Sequence, residues 1–370
     1  MLSYIQNLNK KWKVPELKLS PESKLLLEKI FVRIKEGKLA FTQCHIEFIP
    51  LTQHIFGNNY RDIPIEIRDE IECDLKYIYQ AKFTIGERHI EFILYSPTRI
   101  SKNLQKTYLK KVYVWFYVAC SFARMNECSR NLKLFVYMTR QKKQFPEKKG
   151  QVLSIPHVNA GFTYSCAPSN EIHVYRAEEW FKVVIHETFH SFNLDFSSMD
   201  DNISNRIIYE IIPIRLDLRF YEVYTDGWAD IIHTCFVAGE KEFKKMIEIE
   251  RCFALYQAAR ILYHYGLSYR DIFDTIRNKR YKEGSPVMSY YIIKSCFHFF
   301  MGDFFHWCAI HNKSSIQFRH TENNIVSLCN LYRSQYNNSE YMTYLSGIEK
   351  VLEKGILKSM ENTLRRTILE

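Results

Sequence analysis

In Val184-Ile185-His186-Glu187-Thr188-Phe189-His190, two histidines stand four residues apart, with a glutamate directly after the first. On a helix this spacing stacks both imidazoles on one face, about 6 Å apart along the axis, so both can reach one metal ion. Glu187 projects about 100° round from His186, beside the metal and not onto it. From there its carboxylate can hold and deprotonate a water at the metal, which is the chemistry of hydrolysis. Such strings also arise by chance, and the surroundings decide between the two. Here Trp180, Phe181, Val183, Val184 and Ile185 form an apolar run that buries a helix. Ala177-Glu178-Glu179 places acidic residues in its first turn, where the helix dipole favours them.

A third protein ligand is required. One class of sites takes it three and six residues beyond the second histidine, positions held here by Asn193 and Phe196. Asn tolerates a left-handed turn, but Phe cannot bind zinc, so that class is excluded. Asp195 lies one residue out of register; it is an alternative ligand and, better, a group at the helix end that braces a ligand. A second class takes a Glu from a later helix. Glu222 and Asp226 are four apart in a largely apolar segment with Phe220, Tyr221, Val223, Trp228, Ala229 and Ile232. Buried carboxylates need partners, so one can bind zinc while the other accepts the free N–H of a ligating histidine. His233 lies eleven residues after Glu222, about 16 Å along a continuous helix. It cannot share that metal and is expected to be a satisfied core or surface histidine.

His186-Glu187-x-x-His190 followed by Glu222-x-x-x-Asp226 resembles the gluzincin metallopeptidases, the thermolysin- and neprilysin-like group. The resemblance implies one zinc ion per chain held by His186, His190 and Glu222, with Glu187 as general base and Asp226 bracing a histidine. It also implies an edge strand above the site that pairs with a peptide substrate, over residues 157–162. There Asn159-Ala160 echoes the group's Asn-Ala-aromatic segment, but Gly161 intervenes before Phe162, so only the backbone role of Asn159 and Ala160 carries over. The likeness covers about residues 130–238. Glu178-Glu179-Trp180-Phe181-Lys182 and the Asp226-Gly-Trp-Ala segment are also similar to zincin-like proteins of large DNA viruses, a likeness that brings no substrate.

These groups need a scaffold. A helix opens at Ser20-Pro21, with Ser as cap and Leu25, Leu26, Ile30, Phe31 and Ile34 as its apolar face. Alternating or β-branched segments at 45–49, 77–84 and 89–95 predict strands, the last two joined across Gly86 as a hairpin. Residues 104–126 predict a helix and 132–138 a buried strand. Residues 141–150 are basic, carry Pro146 and Gly150, and predict a loop. Short strands at 158–164 and 172–175 lead into the helix from Ala177, after which the period stays helical.

Composition narrows the function classes. The chain has 370 residues, 46% hydrophobic and 25% charged, as in an ordinary globular protein. The net charge of +10 invites a nucleic-acid partner. Its Lys and Arg are spread along the chain without a zinc-finger or RNP-like pattern, which favours a solvated surface rich in Lys. Ten cysteines without a Cys-x-x-Cys pair suggest buried free thiols in a reducing compartment. The N-terminus lacks the apolar core of a signal peptide, and the longest apolar run, 112–123, is too short to span a membrane. A soluble, intracellular (cytoplasmic) protein is expected.

The expected fold is α+β: a small zincin-like mixed sheet packed on the 104–126 helix and the active-site helix, followed by a mainly helical subdomain. Expected regions are 1–100 as an α/β cap or part of the same body, 101–201 as the core, and 202–370 as the helical part supplying Glu222. The expected activity is zinc-dependent hydrolysis of a peptide or protein substrate, with the oxyanion donor open among Tyr209, Tyr221, Tyr224 and His157. The alternative is a catalytically silent zincin-like scaffold with a structural or interaction role, virion-associated roles included. A third is a basic protein associated with nucleic acid, whose proteolysis is local to that partner.

Overall fold

The computed structural model describes residues 2–11, 13–123, 127–354 and 362–370. Its architecture is mixed α+β. Helix α1 (Leu2–Lys11) precedes α2 (Pro21–Gln43), which starts as expected: the Ser20 hydroxyl accepts from the Ser23 N–H at 3.2 Å, with Pro21 in the first turn. Its buried face uses Leu26, Leu27, Ile30, Phe31 and Ile34, whereas Leu25 points to solvent. Strand β1 is only Ile49–Leu51. The strand expected over 45–49 fails because that segment pairs with nothing until Ile49 meets Gln80.

After α3 (Ile65–Asp74), β2 (Tyr77–Ile85) and β3 (Arg88–Ser96) form the expected hairpin. Gly86 supplies the positive φ, 58°, that a two-residue loop needs at its first position. Helix α4 (Lys102–Phe122) is capped by Ser101 and followed by β4 (Asn131–Tyr137); the last three residues of the expected helix lie outside the described residues. Beyond the basic loop come β5 (Leu153–Ser154), the single turn α5 (Ile155–Val158), β6 (Gly161–Thr163) and β7 (Ser169–Val174).

The main sheet has the order β1-β2-β3-β4-β7-β6. β3, β4 and β7 run parallel, and β6 closes one edge antiparallel to β7. Residues 1–100 thus contribute three strands to the same sheet. Period-two alternation sorts the side chains: Phe92, Leu94, Leu134 and Val136 face the main core with α4, while Ile93, Tyr95, Phe135 and Tyr137 face a second layer under α3.

Helices α6 (Trp180–Ser191), α7 (Asn202–Ile211) and α8 (Phe220–His264) follow, the last broken at Gly239, where φ is 64°. Beyond α8 the described residues are mainly helical: after the two-residue β8 (Glu283–Gly284), which pairs with β5, come a π-helical turn over Met288–Ile293, then α9 (Lys294–Phe299), α10 (Met301–His311), α11 (Glu322–Gln335) and α12 (Ser339–Glu353). One apolar core extends from Ile5 to Leu369. Residues 362–370 form a strap threaded back to α6: Leu364 N–H donates to the Lys143 carbonyl at 2.8 Å, and Gln144 bridges Thr363. Among the described residues, no helix is long and apolar enough to cross a membrane.

The cysteines require a correction. Cys128 and Cys166 form a disulfide, because the parallel pairing of β4 with β7 (Asn131↔Ser169) brings their flanking loops together. The other eight are free, with Cys44 and Cys73 exposed rather than buried.

Candidate metal centre

Helix α6 is anchored as its apolar sequence demands. Residues Phe181 to Ser191 are buried, and Trp115 Nε1 donates to Thr188 Oγ1 at 2.9 Å. It ends in a Schellman turn: Asn193 takes a left-handed φ of 55°, its N–H donates to the His190 carbonyl at 3.2 Å, and Leu194 N–H donates to Phe189 at 2.8 Å. That reversal returns the next residue, Asp195, to the ring of His190, whose Nδ1 donates to Asp195 Oδ2. Thr225 Oγ1 on α8 donates to the same oxygen at 2.8 Å.

Helix α8 places Glu222 in its first turn and Asp226 one turn on. His186 Nδ1 donates to Asp226 Oδ1 at 3.0 Å. Both imidazoles therefore face a carboxylate with Nδ1 and turn Nε2 inward, the orientation a metal ligand needs. The two Nε2 atoms are 3.2 Å apart, and Glu222 Oε2 lies 3.0 Å from His186 Nε2 and 3.4 Å from His190 Nε2. Tetrahedral ligands at usual zinc bond lengths stand about 3.3 Å apart, so these atoms fit one face of such a polyhedron. His186, His190 and Glu222, all buried, make the set that could hold an ion. Burial opposes charge on His190, yet Asp195 and Glu222 hold its pKa well above the usual value. The two histidines likewise hold the Glu222 carboxyl well below its own.

Asp226 does more than brace His186. Lys182, Lys294 and Arg366 all reach it, Lys294 at 2.5 Å and Arg366 at 3.2 Å. Asp230 shares Lys294 at 2.7 Å and Lys182 at 3.2 Å. All are buried. Sequence reasoning missed this network. Asp230 carried a signal, being one turn beyond Asp226 on the same face, and so did Lys182, one turn before His186. Lys294 and Arg366 carried none. Lys143, expected in a solvated loop, is likewise buried against Glu179.

Glu187 lines a narrow cavity of about 20 Å³ with Asn159, Gly161, Lys182, Tyr290 and Arg366. Burial raises its pKa against the pull of His186 and His190. Gly161 lets β6 cross α6 closely: an added Cβ would lie 2.6 Å from Val183 Cγ1 and 2.8 Å from the His173 carbonyl. The intervening glycine thus has a packing cause. Asn159 and Ala160 precede β6, and their carbonyls accept from Arg176 Nε and Tyr175 N–H, each at 2.9 Å. Because Ala160 bonds with Tyr175, the antiparallel alternation turns the N–H and C=O of Gly161 and Thr163 away from β7.

No family model, curated protein or solved structure matches this chain.

Of the four residues considered as oxyanion donors, three are engaged elsewhere. The Tyr209 and Tyr224 hydroxyls donate to the Leu216 and Ile316 carbonyls, and His157 Nδ1 pairs with Ser154. Tyr221 meets His190 edge-on, with ring centroids 5.6 Å apart. The hydroxyl that reaches the centre is that of Tyr290, which donates to Glu222 Oε1 at 3.2 Å, with the Arg366 guanidinium stacked on its ring at 3.6 Å. Tyr290 lies on the π-helical turn, 68 residues from Glu222, and no spacing in the sequence signals it.

Proposed function

We propose that the chain is a zinc-dependent metallopeptidase. The observation that carries this is the His186–His190–Glu222 triangle, with both Nδ1 atoms tied to carboxylates and the Glu187 carboxylate facing the adjoining cavity. Zinc held by His186, His190 and Glu222 would polarise a scissile carbonyl and bring the pKa of water toward about 7. Glu187 takes the proton of the attacking water and passes it to the leaving amine; burial, which raises its pKa, suits it to both steps. An extended peptide pairs with the outward backbone groups of Gly161 and Thr163. Tyr290 and Arg366 supply donors for the developing oxyanion. Asp226 and Asp195 fix the imidazoles throughout.

A second reading, a catalytically silent scaffold whose metal fixes the fold, is favoured by the enclosure of the site. A cavity of about 20 Å³ admits no peptide. Catalysis requires the segment that closes it, Asn159 included, to be displaced by substrate.

Metal-loaded protein and Glu187→Gln, incubated with a random peptide library, separate the two. The peptidase account expects cleavage by the parent chain, and loss of about 100-fold or more in the variant with its metal content unchanged. Metal retention in both without cleavage in either leaves the scaffold.

A further inference from the structure

A second, larger cavity of about 650 Å³ opens beside the site, within the size range of small-molecule pockets. Three neighbouring pairs, Lys142/Lys143, Phe181/Lys182 and Arg365/Arg366, send their first residue to this cavity and their second to the one at the metal centre. Its walls are the turns that follow β3, β4 and β7, so it sits at the carboxyl ends of the three parallel strands. In open α/β sheets that is where ligands bind. We propose that this cavity is a binding site for a small carboxylate with an aromatic or aliphatic body, an assignment that does not depend on the peptidase reading.

The body is specified by Leu104, Tyr108, Trp180 and Phe181. Tyr108 and Trp180 meet edge-to-face at 5.2 Å. The charge is specified by Lys111. Its ammonium lies 5.5 Å from the Phe181 ring centroid and 6.0 Å from that of Trp180, half-buried, with no carboxylate within ion-pair distance among the described residues. Burial pushes its pKa down, a cost that a bound anion offsets. The acids on the wall are already engaged: Glu179 with Lys143 and the strap's Arg366 and Thr367 N–H groups, Glu178 with the Lys143 N–H, Glu370 with Arg365.

His233 supplies an independent observation. It lines the cavity, is 3% exposed, and its Nδ1 has no hydrogen-bond partner. The histidine expected to be satisfied is not. Burial holds its pKa down to about 3, leaving a neutral ring that can offer one N–H to a carboxylate.

Calorimetric titration of the full chain with 3-phenylpropionate, and with the neutral 3-phenylpropanamide, tests the proposal. Saturable binding of one carboxylate per chain is expected, with the amide about tenfold weaker or worse, as loss of one partly desolvated charge pair predicts. Lys111→Met, which keeps the aliphatic stem, should weaken the carboxylate by a similar factor and leave the amide unchanged, and Lys111→Arg should restore it; melting curves verify that both variants are folded. Chelator-treated protein should bind as the untreated chain does. Absence of saturable binding, equal affinity for the amide, indifference to Lys111→Met, or loss on chelation (which would put the carboxylate on the metal) would each overturn the assignment.

Discussion

Asp195 accepts the Nδ1 proton of His190 only because Asn193, between them, takes a left-handed φ that folds the chain back on the helix it has just left. Asp195 thereby takes the place the sequence preferred for it, a group at the helix end that braces His190. Asp195→Ala should weaken zinc binding by about 10–100-fold, the usual cost of losing such a partner, without altering the far-ultraviolet circular dichroism. Competition with a chromophoric chelator measures this, and a change of less than about twofold would remove the role assigned to Asp195.

Lys294 bridges Asp226 and Asp230 with both carboxylates and the ammonium buried. Replacing it by Met leaves two buried anions with one cation fewer. Breaking a buried ion pair from one side costs about 3–5 kcal/mol, so Lys294→Met should lower the denaturant midpoint markedly even in metal-free protein. An unchanged midpoint would mean that the network contributes little to stability.

The strap predicts a pH effect. Glu250 accepts from Thr367 Oγ1 at 2.9 Å and from the Ile368 N–H at 3.2 Å, and burial, with Asp230 nearby, raises its pKa from 4.5 to about 8. The folded state thus keeps a proton that the unfolded chain releases above about pH 4.5. The group's contribution to stability falls as pH rises from there to about 8 and is at its least favourable beyond. Glu250→Gln, which accepts the same two bonds without charge, should match the parent near pH 4 and melt several degrees higher at pH 8.5. Parallel melting curves for both proteins across that range would contradict the assignment.

The candidate metal-binding cluster was legible because its spacings lie within single helices: His186 with His190, and Glu222 with the bracing Asp226, each share a face by helical period alone. The hairpin was legible through Gly86 and the alternation on either side. Helical periodicity misjudged Leu25 against Leu27, since both border the apolar face and the neighbouring helices decide which is covered. The segment 45–49 has strand composition, but pairing begins only at its end. Tyr290, Lys294 and Arg366 reach the centre from elements 68 to 140 residues away. No local pattern encodes such an approach. The same holds for Cys128 and Cys166, joined by the register of two strands neither belongs to.

The proposed chemistry requires one ion at His186, His190 and Glu222. The most direct measurement is the zinc content of protein purified without added metal or chelator, beside Glu222→Ala. The three buried side chains could hold a metal ion, and the proposed function predicts that it is zinc, one per parent chain, with its loss or sharp reduction in the variant. A parent chain that holds no zinc and takes up none on addition, or a variant that keeps its zinc in full, would contradict it.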